Sequence, residues 1–482
     1  MGRPFIAYLA AHRLVAFLAI FSLSFAIRFS ILIYVPRPEM LQSAEASLIA
    51  NAIASKGQFA DPFAVPTGPT AHLTPFYPVL LAGINQVFGT GYTGSFVRCL
   101  LVIGIYSLLY SLYPTFASIF GFPVSAGLFA GFLSALLPVK RSAEVFRGWE
   151  EPYAAIALAL LLALTLKRWG GENRNPRVVL ACGAAWGLAF YISFSLAPIL
   201  FGLVVLDLFT RRSWTALRDS MLLVFAALAI MSPWLIRNRV ELHGWTLMRT
   251  GLGQNLHGSN HDGVRAAAEL INKDKTSRQM YPYNSVVEAR KVQSMGELAY
   301  DRYQSRLAFD WIYHHRGKFA VLTLQRFIYF WAGPIEHPPE FAITTGYTLL
   351  GLIGLPLIKK RVGTQQFCLW CVALAMFPLI YYIVQGTNRY RVPIDWMVWL
   401  SAGLAITAVL EKLFPAPSPP GKDQVSARSV IEKRSLAPSA VRSPSRRCGA
   451  GAVSYGRDGG RSKLSITIMM NSEGAWPASG AP

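Results

Sequence analysis

Long apolar runs constrain this chain more than any other feature of its sequence. A helix needs about 20 consecutive apolar residues to cross a bilayer, and runs of nearly this length recur along most of the 482 residues. Only 15% of the residues are charged, against about a quarter in soluble domains, which argues against a water-soluble enzyme. We therefore predict an all-α, polytopic membrane helix bundle of about ten spans. The predicted spans cover residues 14–35, 96–119, 122–139, 151–167, 178–193, 195–210, 219–236, 341–358, 366–385 and 394–414.

Basic residues cluster in three short connections between predicted spans, and cytoplasmic loops typically carry such an excess. The clusters are Lys167, Arg168, Arg174 and Arg177; Arg211, Arg212 and Arg218; and Lys359, Lys360 and Arg361. If all three lie inside, both termini are cytoplasmic, and loop 36–95, the turn around Glu150, segment 237–317 and residues 389–395 lie outside. Two cytoplasmic termini require an even number of spans. The aromatic-rich segment 319–333 must therefore lie at the membrane interface and not cross.

The net charge of +21 suggests a nucleic-acid partner at first sight, but its distribution argues against one. The stretch 415–482 contributes +6 and is rich in Pro, Ser, Gly and Arg. This composition predicts a disordered basic cytoplasmic tail, separate from a membrane domain over residues 1–414. The basic loops and the tail need only topology and solvation to explain them. The predicted partner is membrane lipid, with no nucleic acid.

The first outer loop contains two stretches with apolar residues at helical spacing. The first runs from Glu45 to Gly57, where the glycine is a helix stop signal, and the second covers residues 76–88. Both are too short to span a bilayer, so we expect two interfacial helices. Glu45 would face the membrane surface just beyond the first span. The alternative is a solvated carboxylate that is favoured at a helix start by the helix dipole.

Further charged residues are expected at the same outer depth. Glu150 heads the fourth span and could converge with Glu45 on one cavity, one carboxylate acting as base and the other orienting a cationic or hydroxylic group. The alternative for Glu150 is a dipole partner of its helix. Arg237 emerges at the outer headgroup level, where a guanidinium can bind a phosphate or anchor to lipid headgroups. Arg389 and Arg391 add two guanidinium groups at this face.

These clusters, in this order, resemble those of the bacterial GT-C membrane glycosyltransferases, close to the branch related to protein O-mannosyltransferases and lipid A aminoarabinose transferases. The resemblance covers residues 10–410 and excludes the tail. It is carried by Glu45, Ile49-Ala50, Gly57-Gln-Phe-Ala-Asp-Pro-Phe63, Gly68-Pro-Thr-Ala-His72, Pro75-Phe-Tyr-Pro78, Trp149-Glu150, Pro233-Trp234, Arg237-Asn238, Gly296-Glu297, Tyr300 and Arg389-Tyr-Arg-Val-Pro393.

The resemblance implies an enzyme that transfers a hexosyl or pentosyl group from a polyprenyl-phosphate donor. The acceptor would be a hydroxyl or amine of a lipid, glycan or protein. Transfer would occur on the outer face of the bacterial cytoplasmic (inner) membrane, in cell-envelope glycosylation. The acidic residue that activates or positions the acceptor matches Glu45, with Glu39 as the alternative, and a second acidic residue matches Glu150.

The resemblance also implies basic residues that hold the donor phosphate, and the candidates are Arg237, Arg389 and Arg391. Some relatives place a phosphate-contacting Lys just before the prolines of the first outer loop. This chain has His72 nearby, which would donate to phosphate when protonated or would simply cap the loop. Trp149 belongs to the same set of substrate-binding candidates.

No spacing of His, Cys, Asp or Glu predicts a metal site or a cofactor, although a divalent cation near Glu45 and Glu150 stays open. Two other functions also stay open. The chain could be a transporter or flippase of a lipid-linked sugar, or a non-catalytic GT-C relative that kept the fold. The spans contain few charged residues, and the polar groups collect at one face, which favours the enzyme over the transporter.

Overall fold

A computed structural model describes residues 2–35, 45–138, 140, 142–170, 175–266, 278–386 and 388–415. In these ranges the chain is built from helices, with an isolated antiparallel bridge between Ala60 and Pro69. The predicted all-α, polytopic class is confirmed. The predicted tail lies outside the described residues, except for Pro415.

The α-helices follow one another in the order α1 (Gly2–Ala11), α2 (Arg13–Tyr34), α3 (Glu45–Lys56), α4 (Phe76–Phe88), α5 (Tyr92–Ser111), α6 (Tyr113–Ile119), α7 (Val124–Leu136), α8 (Glu151–Gly170), α9 (Pro176–Ile192), α10 (Ala197–Arg211), α11 (Trp214–Glu241), α12 (Leu252–Ser259), α13 (Val286–Met295), α14 (Glu297–His314), α15 (Arg316–Ala332), α16 (Pro338–Arg361), α17 (Thr364–Met376), α18 (Leu379–Ile383) and α19 (Val392–Leu413). A π-helical turn at Ser142–Arg147 and 3₁₀ turns at Phe194–Leu196 and Asn388–Arg391 complete the described helical elements.

Eight helical segments of the described chain are long and apolar enough to cross a membrane, and they match eight of the ten predicted spans. They are Arg13–Tyr34, Tyr92–Ile119, Glu151–Gly170, Phe194–Arg211, Trp214–Glu241, Pro338–Arg361, Thr364–Ile383 and Asn388–Leu413. The other two predicted spans correspond to α7 and α9, which are shorter, with 13 and 17 residues. Helix α7 stops early because Pro138 disfavours the helical conformation of Leu137, whose φ and ψ are −110° and 87°.

The two short helices predicted in the first outer loop are present as α3 and α4. Helix α3 ends where Gly57 adopts a φ of +68°, a left-handed conformation that glycine takes without steric cost. Helix α15 covers most of the predicted interfacial segment 319–333. With 17 residues, it is not among the described segments long and apolar enough to cross. The predicted orientation of the termini stays a prediction.

Helix α19 lies at the centre of the bundle, because nearly all of its residues up to Ala408 are buried. It packs closely against α16, where a Cβ at Gly354 would overlap the carbonyl group of Ser401. Helix α9 approaches α11 in the same way, with Gly183 against the carbonyl of Leu223. Small residues at helix contacts are the usual means by which membrane helices pack closely.

The bundle has two chemically different ends. An ion pair between Glu151 and Arg389 places the start of α8 beside the start of α19. Both helices therefore run towards the opposite end, where the three basic connections lie. Ion pairs join the helices at that end: Arg168–Asp207 (3.3 Å), Arg211–Asp219 (3.0 Å) and Arg361–Glu411 (2.6 Å).

Candidate active site

The site begins with a tight hairpin over residues 57–72. One carboxylate oxygen of Asp61 accepts hydrogen bonds from the backbone N–H groups of Thr67 (3.0 Å) and Gly68 (2.9 Å). Asp61 itself has a φ of +58°, a conformation that Asp adopts more readily than most side chains. The hairpin returns the chain to the start of α3, and so it brings His72 back to the first residue of that helix.

Glu45 and His72 form a nearly buried pair. Nε2 of His72 lies 3.4 Å from Oε1 of Glu45, and the two side chains are 3% and 16% exposed. The ring of Phe63 contacts the imidazole edge-on, with 5.0 Å between ring centroids. Burial raises the pKa of Glu45, but the hydrogen bond and charge of His72, a hydrogen bond from the backbone of Glu45 and the charge of Arg249 together outweigh burial and hold that pKa below its ordinary value. Glu45 is therefore ionised at neutral pH.

A second cluster lies where α8 begins. Nε of Arg389 is 3.1 Å from Oε1 of Glu151, and the guanidinium lies over the rings of Trp149 (5.1 Å) and Tyr390 (4.9 Å). Glu150 directly precedes the helix, so two consecutive carboxylates stand at its positive end. The cluster therefore combines a positioned cation, two acids and two aromatic faces.

Both clusters line one cavity of about 1860 Å³. Ligand pockets usually measure roughly 300–1,000 Å³, so this cavity has room for more than one substrate. It brings together five of the residues singled out in the sequence: Glu45, His72, Trp149, Glu150 and Arg389. Other charged residues in its lining include Arg98, Lys140, Glu151, Arg249 and Asp301.

Arg237 does not line this cavity. Its guanidinium donates to the carbonyl groups of Thr70 (2.5 Å) and Phe59 (2.9 Å), and it lies over the ring of Trp234, 5.0 Å from the centroid. Arg237 thus fastens the hairpin to the end of α11. These contacts occupy two nitrogen atoms of the guanidinium, and the contact of Arg237 with a donor phosphate stays a prediction.

Arg391 also lies away from the cavity, although it is only two residues from Arg389. It is fully buried, with Nε 2.5 Å from Oδ1 of Asp395, and it donates to the carbonyl of Trp331 (2.8 Å). Its guanidinium lies over the ring of Tyr347, at 4.6 Å. Residues two apart on a 3₁₀ turn point in different directions. Both were predicted to bind phosphate, but Arg389 lines the cavity, whereas Arg391 is buried in the bundle core.

Several charged cavity residues were not singled out in the sequence, among them Lys140, Arg249 and Asp301. Lys140 follows an apolar run and forms an ion pair with Asp395, and its only signal was a charge at the end of that run. Arg249 and Asp301 come from segment 237–317, whose polar composition indicated an outer region without indicating which side chains face inward. Burial raises the pKa of Asp301, although backbone N–H groups of α12 oppose that rise.

Two open alternatives concern residues around Glu45. Glu39 lies outside the described residues. For a divalent cation, the described chain offers no group of three or more His, Cys, Asp or Glu side chains that could hold a metal ion. Glu45 is instead bonded to His72, and Glu150 stands in the other cluster. A divalent cation near Glu45 and Glu150 therefore stays an open alternative.

Solved structures share this arrangement of helices. The Archaeoglobus fulgidus oligosaccharyltransferase, tethered to an acceptor peptide, matches with a TM-score of 0.50 and 14% sequence identity, over 88% of this chain and 54% of that one. The protein has the GT-C fold. The chain spans about half the length of the archaeal enzyme with which it shares the GT-C fold.

Two further structures are similar at lower scores. The archaeal oligosaccharyltransferase AglB, also from Archaeoglobus fulgidus and in complex with an inhibitory peptide and a dolichol-phosphate, gives a TM-score of 0.48 at 14% identity, over 88% of this chain and 54% of that one. ArnT from Cupriavidus metallidurans, bound to undecaprenyl phosphate, gives 0.35 at 14% identity, over 86% and 80%. No protein-family model and no curated protein sequence matches the chain. With its GT-C fold and its apolar helices, the protein is a multi-pass membrane protein.

Proposed function

We propose that the protein is a membrane glycosyltransferase that moves a hexosyl or pentosyl group from a polyprenyl-phosphate donor to a hydroxyl or amine acceptor. The observation that carries the proposal is the single cavity that holds the Glu45–His72 pair on one wall and Arg389 with Trp149 and Glu150 on another. The GT-C fold, shared with an oligosaccharyltransferase solved with an acceptor peptide, supports glycosyl transfer as the reaction class.

Glu45 is the proposed base. Because its pKa lies below the ordinary value, the carboxylate is ionised and can accept a proton from the acceptor hydroxyl or amine. The acceptor atom then forms a bond to the anomeric carbon, while the bond from that carbon to the phosphate oxygen breaks. The bonding electron pair leaves with the lipid phosphate, and the anomeric configuration inverts. His72 orients the carboxylate through their hydrogen bond.

Arg389 is the proposed donor-phosphate residue. Its planar guanidinium lines the cavity and matches the geometry of a phosphate. The leaving phosphate gains negative charge during the displacement, and a preorganised donor at such a position is commonly worth about 3 kcal/mol. The Trp149 ring stacked on the guanidinium restrains it and offers an apolar face to the substrate.

Glu150 is the proposed second carboxylate of the reaction. It lines the cavity from the start of α8, beside the ion pair between Glu151 and Arg389. From there it would orient a cationic or hydroxylic group of a substrate. Since Glu151 already neutralises much of the guanidinium charge, arriving phosphate and Glu151 would share Arg389.

The proposed location of the reaction is the outer face of a bacterial inner membrane. The basic connections lie at one end of the bundle, and the Glu151–Arg389 pair lies at the other. Since basic loops favour the cytoplasm, the cavity would open outward and both termini would be cytoplasmic. Acceptors in this setting are lipids, glycans or proteins of the cell envelope.

The test uses the full-length protein in proteoliposomes with radiolabelled hexose or pentose on undecaprenyl phosphate, and membranes from a strain lacking the protein as the acceptor source. We expect Glu45→Gln to lower the transfer rate by about 100-fold or more, as loss of a general base does. Glu150→Gln should lower it by about 10-fold. The matched control is Glu336→Gln, an exposed carboxylate that does not line the cavity.

Two results would contradict the proposal. Unchanged transfer in both Glu45→Gln and Glu150→Gln would remove the enzymology described above. Movement of the labelled lipid across the bilayer without its consumption would identify a transporter instead.

A further inference from the structure

A further carboxylate, that of Glu297, joins two segments that border the Glu45–His72 pair. Glu297 opens α14, and its two oxygens accept hydrogen bonds from Thr70 Oγ1 (2.5 Å) and the backbone N–H of Ala71 (3.0 Å). It also accepts from the hydroxyl of Thr250. Three donors from two distant parts of the chain thus converge on one side chain. Glu297 itself is not part of the cavity lining.

These bonds continue directly to His72. Oγ1 of Thr70, which donates to Glu297, accepts from the backbone N–H of His72 at 2.9 Å. The backbone N–H of Thr250 donates to the carbonyl of Ala71 at 2.8 Å, so the two segments are also paired through their main chains. The backbone immediately before the imidazole is therefore held on both sides.

The imidazole ring of His72 is packed between the same two segments. Phe63 of the hairpin contacts it edge-on, and on the other side a Cβ at Gly251 would lie only 3.1 Å from two ring atoms. Gly251 follows Thr250 directly, so the bond from Thr250 to Glu297 also places the ring's second neighbour. Loss of this arrangement would free the ring to turn away from Glu45.

We infer that Glu297 is a positioning residue of the transfer reaction, which acts through Thr70, Ala71 and Thr250 to hold His72 against Glu45. The inference rests on the proposed function for its catalytic consequence, but the contacts themselves can be tested without any substrate. Its role differs from that of a general scaffold residue, because the group it would hold in place is the His72 ring that is hydrogen-bonded to Glu45.

The groups that influence Glu45 electrostatically are His72, Arg249, Tyr281 and Tyr283. Of these, His72 makes the largest contribution that lowers the pKa of Glu45, whereas burial raises it. If His72 moves away, burial dominates and the pKa of Glu45 rises. The acid limb of the pH dependence of kcat/KM would then move to higher pH, since the ionised carboxylate is the active form.

The first measurement is hydrogen–deuterium exchange of the full-length protein in detergent. Glu297→Gln keeps the size of the side chain but replaces one acceptor oxygen with an NH₂ group that faces other donors. We expect at least 10-fold faster exchange at the amides of Ala71 and Thr250. The control is Asp310→Asn, an exposed carboxylate on the same helix, 74% exposed, which should leave exchange unchanged. Equal exchange in Glu297→Gln and the control would overturn the inference whether or not the protein transfers sugar.

The second measurement is the pH profile of transfer with radiolabelled sugar on undecaprenyl phosphate. Glu297→Gln should lower kcat by about 10-fold with little change in the donor KM, and should move the acid limb upward by at least half a pH unit. Glu297→Asp, which keeps the carboxylate, should recover part of both. A lower maximal transfer rate with an unchanged acid limb would indicate a purely structural role and would reject the positioning role. If the wild-type protein transfers no sugar, the proposed function is wrong. The hydrogen–deuterium exchange result then tests by itself whether Glu297 holds the two segments.

Discussion

Arg389 and Arg391 are separated by one residue, yet their guanidinium groups have different surroundings. Arg389 lines the cavity beside Glu151, whereas Arg391 is buried against Asp395. We expect Arg389→Ala to raise the donor KM by at least 10-fold and to lower the thermal unfolding temperature less than Arg391→Ala does, because its partner Glu151 lies at the cavity wall. We expect Arg391→Ala to destabilise the protein by on the order of 3 kcal/mol, because it leaves a buried carboxylate short of a partner. Thermal unfolding in detergent and donor titration of the transfer rate would separate the two effects.

The opposite pattern would reverse the two roles. An unchanged donor KM in Arg389→Ala, together with a raised donor KM in a stably folded Arg391→Ala, would assign the phosphate contact to Arg391. Lys140 also pairs with Asp395, and it should soften the effect of removing Arg391 without abolishing it.

The sequence predicts how deep a side chain lies more readily than where it points. Arg237, Arg389 and Arg391 all follow or precede an apolar run at the outer end, which is why they form one predicted set. Their direction around the helix axis depends on the neighbours that pack there, such as the hairpin carbonyls that Arg237 contacts. Of these three arginines, Arg389 lines the cavity and the other two do not. The sequence alone did not distinguish them.

At the scale of elements, Asp61 organises the hairpin that carries His72. Asp61→Ala would remove the acceptor of two backbone N–H groups, each worth about 1 kcal/mol, and would leave Ala in a left-handed conformation that costs roughly 1 kcal/mol more. We expect faster limited proteolysis within residues 57–72 and at least 10-fold slower transfer. Both can be measured on the same purified preparation.

Asp61→Asn is the matched control for this element. Asn keeps the acceptor oxygen and tolerates the left-handed conformation, and it loses only the ion pair with Lys56. That pair is worth little, because the lysine side chain is 54% exposed. Equal proteolysis rates in Asp61→Ala and wild type would show that the hairpin does not depend on this carboxylate.

Glycine and proline residues at helix boundaries explain which elements could be predicted from the sequence. Helices α3 and α4 match their predicted stretches because Gly57 and the prolines around residue 75 mark their limits. Helix α7 is shorter than the predicted span 122–139 because Pro138 ends it. The span was predicted from hydropathy, which does not register this proline. The helices within segment 237–317 were not predicted individually, because their mixed polar sequence gives no clear apolar period.

The site as a whole depends on contacts between residues that are far apart in the sequence. Glu45 and His72 are separated by 27 positions, and Glu297 bonds to a residue 227 positions away. Gly296-Glu297 is among the residues that carry the family resemblance, but the sequence assigns it no role. Spacing alone cannot show which loops the start of a helix will connect. The cavity emerges only when the first outer loop, the segment after α11 and the starts of α8 and α14 pack together.

The two ends of the bundle make a last prediction about the whole molecule. The basic ends of α8, α10 and α16 would lie in the cytoplasm, and the cavity would face outward. In a Cys448→Ser background, a cysteine at exposed position Asp310 should react with a membrane-impermeant maleimide in intact cells. A cysteine at exposed position Thr215, near the start of α11, should react only after the membrane is permeabilised. The reverse labelling would invert the topology and place the cavity, with its Glu45–His72 pair, on the cytoplasmic side.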